Sequence, residues 1–235
     1  MEFESEVMNA YMQLLVRDFN AKSTDRAMAI DTFEMSNIWK RKQPKVKLDP
    51  HMYKYILGII NENHHWKLTV MIPSQKKALL LDPLGESSTD INRCKDVTRA
   101  FMRLRGINVS RWGCDTVPHP RQTDSTSCGP FVLKFAECIL KGENCKFNTS
   151  RKGVGEMRRA IATALLENTD DLTEVCHQCG QTDNPETDED VQWISCERCQ
   201  RWYHQSCAKH MMESPHLCLA CNTDRTARRE RALAR

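Results

Sequence analysis

The chain has 235 residues, of which 40% are hydrophobic and 28% are charged, and its formal net charge is +3 at pH 7. This length allows one mid-sized domain plus a small module. The nearly balanced charge gives no indication of direct nucleic-acid binding, and no apolar run approaches membrane-spanning length. With twelve cysteines and no apolar signal-peptide stretch at its start, the chain is expected in a reducing, intracellular compartment.

The first part of the chain alternates between helical and strand-like patterns. Apolar residues recur at helical spacing in four segments, at residues 7–15, 91–104, 128–139 and 157–165. Four shorter apolar runs are typical of strands, at residues 55–60, 66–72, 78–81 and 109–117. A polar turn covers residues 73–77, and a polar loop at residues 118–127 leads into the third helix. The pattern predicts an α+β fold with a small central sheet flanked by helices.

One cysteine of this part, Cys128, stands where a thiol can become reactive. It ends the polar loop and begins a helix, where unpaired backbone N–H groups and the helix dipole stabilise a thiolate. His65, at the head of a strand, could serve as general base, and Asp82, which closes the following strand, could orient its imidazole. Gln122 offers a side-chain N–H donor on the preceding loop. The other four cysteines of this part have no ligand spacing and are expected to be buried.

Three short motifs together resemble one known family. They are His65-Trp66, the LLD triplet that ends at Asp82, and Gln122-x5-Cys128 followed by glycine. In this combination and order they are similar to the ubiquitin-like-protein proteases, the sentrin or SUMO protease family related to adenovirus protease.

This resemblance implies a papain-like or adenain-like cysteine protease domain over residues 1–167. Cys128 would be the nucleophile and His65 the general base, with Asp82 holding the imidazole. Gln122 and the backbone N–H of the cysteine would stabilise the oxyanion. The implied partners are a ubiquitin-like modifier and its conjugates, cleaved after Gly-Gly, with SUMO favoured over NEDD8 or ubiquitin. The alternative is a catalytically weak or inactive reader or adaptor.

The chain departs from the family at its start. The likeness runs over residues 6–166 and implies that Trp66 lies over the diglycine of the substrate. Family domains begin with a Trp-Leu pair several residues before the position of Met8, and that Trp forms the other wall of the slot. Residues 2–5 here are EFES. We therefore expect either a truncated N-terminal edge or Phe3 as a substitute wall.

The C-terminal part carries eight metal-ligand residues in four close pairs. They are Cys176, Cys179, Cys196, Cys199, His204, Cys207, Cys218 and Cys221. Cysteines at C-x-x-C spacing can place two thiolates on one tetrahedral ion, and a bound ion supplies folding free energy that a short segment lacks. We therefore predict two Zn²⁺ ions rather than a disulfide knot, since disulfides need an oxidising compartment.

The order and spacing of these ligands over residues 176–221 resemble a PHD finger, the chromatin reader fold. A RING ubiquitin ligase would usually place His at the fourth position, where this chain has Cys199. His216 stands where PHD fingers usually carry a Trp, which predicts a weaker second site. The resemblance implies a cross-brace with one zinc on Cys176, Cys179, His204 and Cys207 and the other on Cys196, Cys199, Cys218 and Cys221.

Two tryptophans of this block, Trp193 and Trp202, stand where methyl-lysine-reading PHD fingers carry the walls of an aromatic cage. The acidic loop at residues 183–190 could attract a basic peptide. The resemblance thus implies a methylated histone tail as partner and the nucleus as location, with the cytoplasm as the alternative. Polar residues 168–175 are predicted to be a linker, and residues 222–235 a basic tail.

Overall fold

The chain divides into two compact units, Met1–Asn168 and Thr169–Arg235, and each is described by itself. The computed structural model describes residues 2–168, 175–182, 192–211, 215–219 and 221–222. The predicted acidic loop, most of the linker and the basic tail beyond residue 222 lie outside the described residues. None of the described helices combines the length and the apolar composition needed to cross a lipid bilayer.

The described part of the first unit builds one mixed sheet with helices on both faces. Its helices are α1 Ser5–Lys22, α2 Thr32–Trp39, α3 Ser88–Leu104, α4 Cys128–Lys141 and α5 Arg151–Glu167. Its strands are β1 Ala27–Ile30, β2 Tyr55–Glu62, β3 His65–Ile72, β4 Lys77–Leu81 and β5 Gly113–Asp115. The strand order is β1-β2-β3-β4-β5, with antiparallel pairing inside and parallel pairing at both edges. The predicted α+β pattern agrees with this arrangement.

Two hydrophobic cores cover the two faces of this sheet, because successive strand residues point to opposite sides. Leu68 and Val70 of β3 belong to the core that includes residues of α1, α4 and α5. Met71 of the same strand belongs to the other core, with residues of α2 and α3. The central strands are therefore buried on both faces, which is why they read as nearly continuous apolar runs.

The sequence patterns do not predict β1 or α2, and they overestimate β5. Both missed elements are short, with four residues in β1 and eight in α2. One local signal for α2 is present, because Asp31 caps the helix by accepting the backbone N–H of Glu34 at 2.8 Å. The strand predicted at residues 109–117 is only three residues long. Trp112 packs in the second core rather than in the ladder, and Arg111 has a positive φ of 60° that interrupts an extended chain.

The described part of the second unit contains one small hairpin around a cysteine-rich core. Strand β6, Trp193–Ser195, pairs antiparallel with β7, Trp202–His204. A 3-10 turn follows at Lys209–Met211. The buried residues in the described part of this unit are Cys176, Cys196, Cys218, Tyr203, Ala208, Met211 and His204. So small an apolar core offers little hydrophobic stabilisation by itself.

Candidate functional site

The pairing of β3 with β4 brings two predicted catalytic residues together. The strands are antiparallel, with Leu68 opposite Leu81, so that Asp82, the residue after β4, lies near the start of β3. His65 Nε2 lies 2.6 Å from Asp82 Oδ1. The backbone N–H of Leu84 donates to the same oxygen at 2.8 Å. The carboxylate is therefore fixed on the side that faces the imidazole.

The predicted nucleophile, Cys128, is the first residue of α4 and is 1% exposed. Asp124 shapes the turn before it, because its carboxylate accepts the backbone N–H groups of Thr126 and Ser127 at 2.9 and 2.8 Å. The thiol thus stands at a helix N-terminus, as the sequence predicts. Unpaired N–H groups and the helix dipole favour negative charge at this position.

The ionisation of His65 is shifted by the groups around it. Burial acts to lower its pKa, but the hydrogen bonds with Asp82 and Cys128 and the charges of both outweigh burial and raise the pKa to about 9. For Asp82, burial acts to raise the pKa, but hydrogen bonds led by the one from His65 outweigh it and lower the pKa. At neutral pH the pair is an imidazolium and a carboxylate. Since Nε2 faces Asp82, Nδ1 is the ring nitrogen left for Cys128.

Gln122 lies on the loop that leads to the nucleophile. Its backbone N–H donates to Pro83 O at 2.8 Å, which ties this loop to the segment that follows Asp82. Its side-chain Nε2 donates to Asp124 O at 2.7 Å, and its Oε1 is buried with no hydrogen-bond partner in the described part of the chain. The amide group is therefore held in place, and Nε2 has a second hydrogen that can serve another acceptor.

Trp66, the predicted substrate-binding residue, is anchored to the N-terminal segment. Its Nε1 donates to Phe3 O at 3.1 Å. The Phe3 side chain packs next to Gly129, where an added Cβ would lie 3.0 Å from Phe3 Cβ. The guanidinium carbon of Arg158 lies 4.9 Å from the centre of the Phe3 ring. Phe3 is thus packed at the start of α4, and its use as a slot wall stays a prediction.

Three polar residues with largely buried side chains lie around Asp82 and are not predicted from the sequence. Lys67 Nζ lies 3.0 Å from Asp82 Oδ2. Glu86 Oε1 accepts the backbone N–H of Asp82 at 2.7 Å, and His119 Nε2 lies 3.1 Å from Asp82 O. The strand period of two could have found Lys67, because it places residues 65 and 67 on one face of β3. No local pattern points to Glu86 or His119, which come from a turn and a distant loop.

In the second unit the eight predicted ligand residues form two clusters that match the predicted grouping. One contains Cys176, Cys179, His204 and Cys207, and the other contains Cys196, Cys199, Cys218 and Cys221. The ligand atoms of each cluster lie within 4.8 Å of one another. For example, Cys179 Sγ lies 3.5 Å from His204 Nδ1. Sulphur and imidazole donors at these separations suit a tetrahedral metal ion.

Hydrogen bonds around the clusters orient the donor atoms inward. His204 Nε2 lies 3.3 Å from Thr182 O, so Nε2 carries the proton and Nδ1 offers its lone pair to the cluster. Cys176 Sγ accepts the backbone N–H of His204 at 3.3 Å, and Cys196 Sγ accepts that of Cys218 at 3.4 Å. These bonds favour thiolates, and the donor set therefore fits a metal ion.

The two tryptophans predicted to form a cage lie on the β6–β7 hairpin. Trp193 is opposite His204 in the strand register, and Trp202 is opposite Ser195. Residues opposite each other and two apart share a face of a sheet, so both indoles lie on one face. The Trp193 ring centre is 4.4 Å from that of His204, whereas Trp202 is 46% exposed. Trp193 thus packs beside a metal-ligand candidate, and Trp202 is open to solvent.

The site in the first unit defines a class of protein. A thiol at a helix N-terminus, an imidazole beside it and a carboxylate on the far ring nitrogen form the arrangement of a cysteine-type peptidase. Residues 2–172 match the C-terminal catalytic domain of the Ulp1 protease family. The chain belongs to this family, which confirms the resemblance noted from its motifs for the first unit.

Curated relatives are similar to this chain at modest identity. A sentrin-specific protease from Caenorhabditis elegans is 24% identical over 156 residues, which cover 60% of this chain and 22% of the relative. The sentrin-specific protease 2 of Rattus norvegicus is 26% identical over 156 residues, which cover 60% of this chain and 26% of the relative. The chain thus spans about a quarter of the length of these relatives.

Solved structures share the fold of the first unit. The C-terminal Ulp1 protease domain in complex with SMT3, the yeast ortholog of SUMO, matches with a TM-score of 0.57 and 17% identity, over 71% of this chain and 77% of that one. The Ulp1-like SUMO protease catalytic domain of Chaetomium thermophilum matches with a TM-score of 0.56 and 18% identity, over 71% and 72% of the two chains. At such identities the likeness shows a common fold.

Proposed function

We propose that the first unit is a cysteine peptidase that cleaves after the Gly-Gly terminus of a ubiquitin-like modifier, with SUMO as the favoured modifier. The observation that carries this proposal is the hydrogen-bonded series of Cys128, His65 and Asp82. Family membership supports the chemistry. The relatives named as sentrin-specific proteases, and the Ulp1 domain solved with SMT3, support the modifier class.

The first half of the proposed reaction forms a thioester. Transfer of the thiol proton of Cys128 to His65 gives the imidazolium form of the ring, and Asp82 holds the ring so that Nδ1 faces the sulphur. The thiolate attacks the carbonyl carbon of the terminal glycine, and a tetrahedral oxyanion forms. When this intermediate collapses, the C–N bond breaks, and the imidazolium of His65 gives its proton to the leaving amine. The modifier stays attached through its glycine to sulphur.

The second half of the reaction releases the modifier. A water molecule loses one proton to His65 and attacks the thioester, and the C–S bond then breaks. The modifier leaves as a carboxylate after its acid proton passes to solvent, and the sulphur of Cys128 is again paired with the imidazolium of His65. In both halves the oxyanion needs N–H donors. We assign these to the backbone N–H of Cys128 and to the second hydrogen of Gln122 Nε2, because the amide is already fixed by Asp124 O.

Substrate selection in this proposal depends on Trp66. The indole follows His65 directly in β3 and is held at its Nε1 by Phe3 O. An aromatic face over the diglycine would leave room for glycine and exclude residues with a side chain. Phe3 supports this wall through its backbone, whereas its ring is engaged with Gly129 and Arg158.

Reaction with modifier electrophiles tests the proposed function. The purified chain is incubated with SUMO, NEDD8 and ubiquitin that carry a C-terminal thiol-reactive group, and adducts are located by mass spectrometry. We expect a selective SUMO adduct at Cys128. Cys138→Ala, which removes another buried thiol of α4, is the matched control and should still react. Absence of any adduct at Cys128 would favour the alternative, a catalytically weak or inactive adaptor that works through its second unit.

We further propose that the second unit is a PHD-type finger that binds two zinc ions and tethers the peptidase to chromatin. Support comes from the two clusters of ligand atoms and from the tautomer of His204. The second cluster is expected to bind more weakly, because His216 replaces the usual Trp beside it. His216 makes polar contacts there, with its backbone N–H donating to Glu197 Oε1 at 3.0 Å.

A methylated histone tail is the proposed ligand of this finger. Trp193 and Trp202 lie on one face of the hairpin, and an indole face attracts a quaternary ammonium by about 0.5–2 kcal/mol. In peptide titrations with the full chain, we expect trimethylated lysine tails to bind more tightly than unmodified ones. Trp202→Ala should remove this preference without disturbing the clusters, because Trp202 is largely exposed. A preference that survives Trp202→Ala, or no preference at all, would leave the finger as a structural or protein-contact module.

We propose the nucleus as the location, with the cytoplasm as the alternative. The proposal follows from the proposed tethering of the finger to chromatin. Imaging of the tagged full chain tests it, and exclusion from the nucleus would contradict both the location and the chromatin role.

A further inference from the structure

Lys67 carries a positive charge into the interior beside the proposed catalytic carboxylate. It is 8% exposed, and its Nζ lies 3.0 Å from Asp82 Oδ2. Two other carboxylates are more distant, Asp90 at 3.4 Å and Glu62 at 3.9 Å. A buried ammonium is unfavourable unless partners compensate its lost hydration. Because Asp82 makes the shortest of the three contacts, it is the main partner of Lys67.

Strand register explains why Lys67 meets Asp82. In the β3–β4 ladder Leu68 lies opposite Leu81, so the next position outward places Lys67 opposite Asp82. His65, the first residue of β3, lies two residues before Lys67 and on the same face of the strand. The carboxylate therefore stands between two cationic groups, with Oδ1 toward His65 and Oδ2 toward Lys67.

We propose that Lys67 is a positioning residue for the peptidase reaction. It fixes Oδ2 of Asp82, so that Oδ1 faces His65. Its positive charge also limits how tightly the imidazolium of His65 holds its proton. This inference rests on the proposed function of the Cys128 site. His65 must release its proton to the leaving amine, and an imidazolium beside an uncompensated carboxylate would release it less readily. Lys67 offsets that carboxylate.

Other charged and titratable groups surround this pair from each neighbouring element. They are Glu62 of β2, Glu86 of the turn before α3, Asp90 and Arg93 of α3, His119 of the loop before α4, and Cys128 of α4. Glu62 is paired with Arg93 at 2.5 Å, and Glu86 with His119 at 3.2 Å. Among the described residues, Lys67 is the lysine or arginine that contacts the Asp82 side chain.

The pH profile of cleavage tests this role. The pKa of His65 is raised to about 9, so its proton is present at neutral pH and lost as pH rises through that value, and wild-type activity should fall on this alkaline side. In Lys67→Met the imidazolium loses a neighbouring cation. In the pH–activity profile of this variant, we expect the alkaline fall in activity to occur about one pH unit higher than in the wild type. We expect kcat to be lower by about tenfold and KM to be little changed.

Two variants separate charge from packing. Lys67→Arg keeps the positive charge, and its activity should fall at the same alkaline pH as that of the wild type. Lys54→Met removes a surface lysine that pairs with Asp25 at 2.6 Å, and it should leave rate and profile unchanged. If the alkaline fall in activity of a folded Lys67→Met protein occurs at the wild-type pH or at a lower pH, the proposal is overturned. If Lys67→Met does not fold, Lys67→Gln, which also removes the charge, is held to the same criterion.

A second measurement separates this inference from the proposed function. NMR titration of the His65 ring in the full chain needs no substrate, and Lys67→Met or Lys67→Gln should raise its pKa. If the wild type forms no electrophile adduct, the proposed function fails, whereas the titration still reports on Lys67. An unchanged or lowered His65 pKa in the neutral variants would contradict the inference whatever the activity.

Discussion

Replacement of Cys128 with alanine should abolish cleavage after Gly-Gly, because its thiol is the group that forms the acyl intermediate in the proposed reaction. His65→Ala should lower kcat by about a hundredfold to ten-thousandfold, since it removes both proton acceptor and proton donor. Gln122→Ala should lower kcat by about a hundredfold and leave substrate binding unchanged, as expected for one lost oxyanion donor. Steady-state cleavage of a modifier fused through its C-terminus measures all three effects.

The controls for this series are neighbours of the same kind. Cys138→Ala tests loss of a different thiol from α4, and Thr123→Ala tests a change beside Gln122 on the same loop; both should retain activity. Peptidase activity that persists in Cys128→Ala would show that the nucleophile is assigned wrongly. If Gln122→Ala raised KM and left kcat unchanged, Gln122 would be a substrate-binding residue rather than an oxyanion donor.

Removal of metal should unfold the second unit and spare the first. Structural zinc contributes about 10–16 kcal/mol in small zinc-built domains at neutral pH, far more than the few buried apolar residues here can supply. A strong chelator should therefore abolish the NMR signals typical of the β6–β7 hairpin. The first unit has two hydrophobic cores of its own and should keep its dispersed signals and its reaction with a modifier electrophile.

Elemental analysis gives the matching stoichiometry, which we expect to be two zinc ions per chain, one for each cluster. Cys196→Ser removes a buried ligand of the second cluster and should reduce the zinc content, whereas Cys145→Ser, in the first unit, should not. A fully loaded preparation with fewer than two zinc ions would contradict the paired sites. Retention of the hairpin after metal removal would show that the unit does not depend on metal for its fold.

The parts of the structure that depend on local pattern could be predicted from the sequence. The helix start at Cys128 follows from a polar loop that meets a helical apolar pattern. The strands that carry His65 and Asp82 follow from apolar runs of strand length. The metal-ligand candidates follow from their close spacing, and their division into two cross-braced clusters follows from the resemblance to a PHD finger. For the helix start and for the strands, the sequence signal and the structure it specifies lie within a few residues of each other.

The parts that depend on distant contacts could not be predicted. A lysine on a strand is ordinarily exposed, and Lys67 is buried because three acidic residues from separate segments converge on it. Glu86 and His119 meet under the backbone of Asp82, although 33 positions separate them in the sequence. Trp112 packs in the second core. Its apolar side chain therefore makes residues 109–117 look like a longer strand than the backbone forms.

The central strands β2, β3 and β4 are consecutive in the chain as well as adjacent in the sheet. Strands linked by short loops can pair early in folding as one cooperative unit, because closing a short loop costs little entropy. Strands β1 and β5 are linked to this unit by longer connections and add to its two edges. His65 and Asp82 both come from this central piece, and Cys128 comes from a helix packed on it. Fraying of the sheet edges would therefore leave the acid–base pair aligned, and loss of activity on mild heating should follow the undocking of α4 rather than separation of the pair.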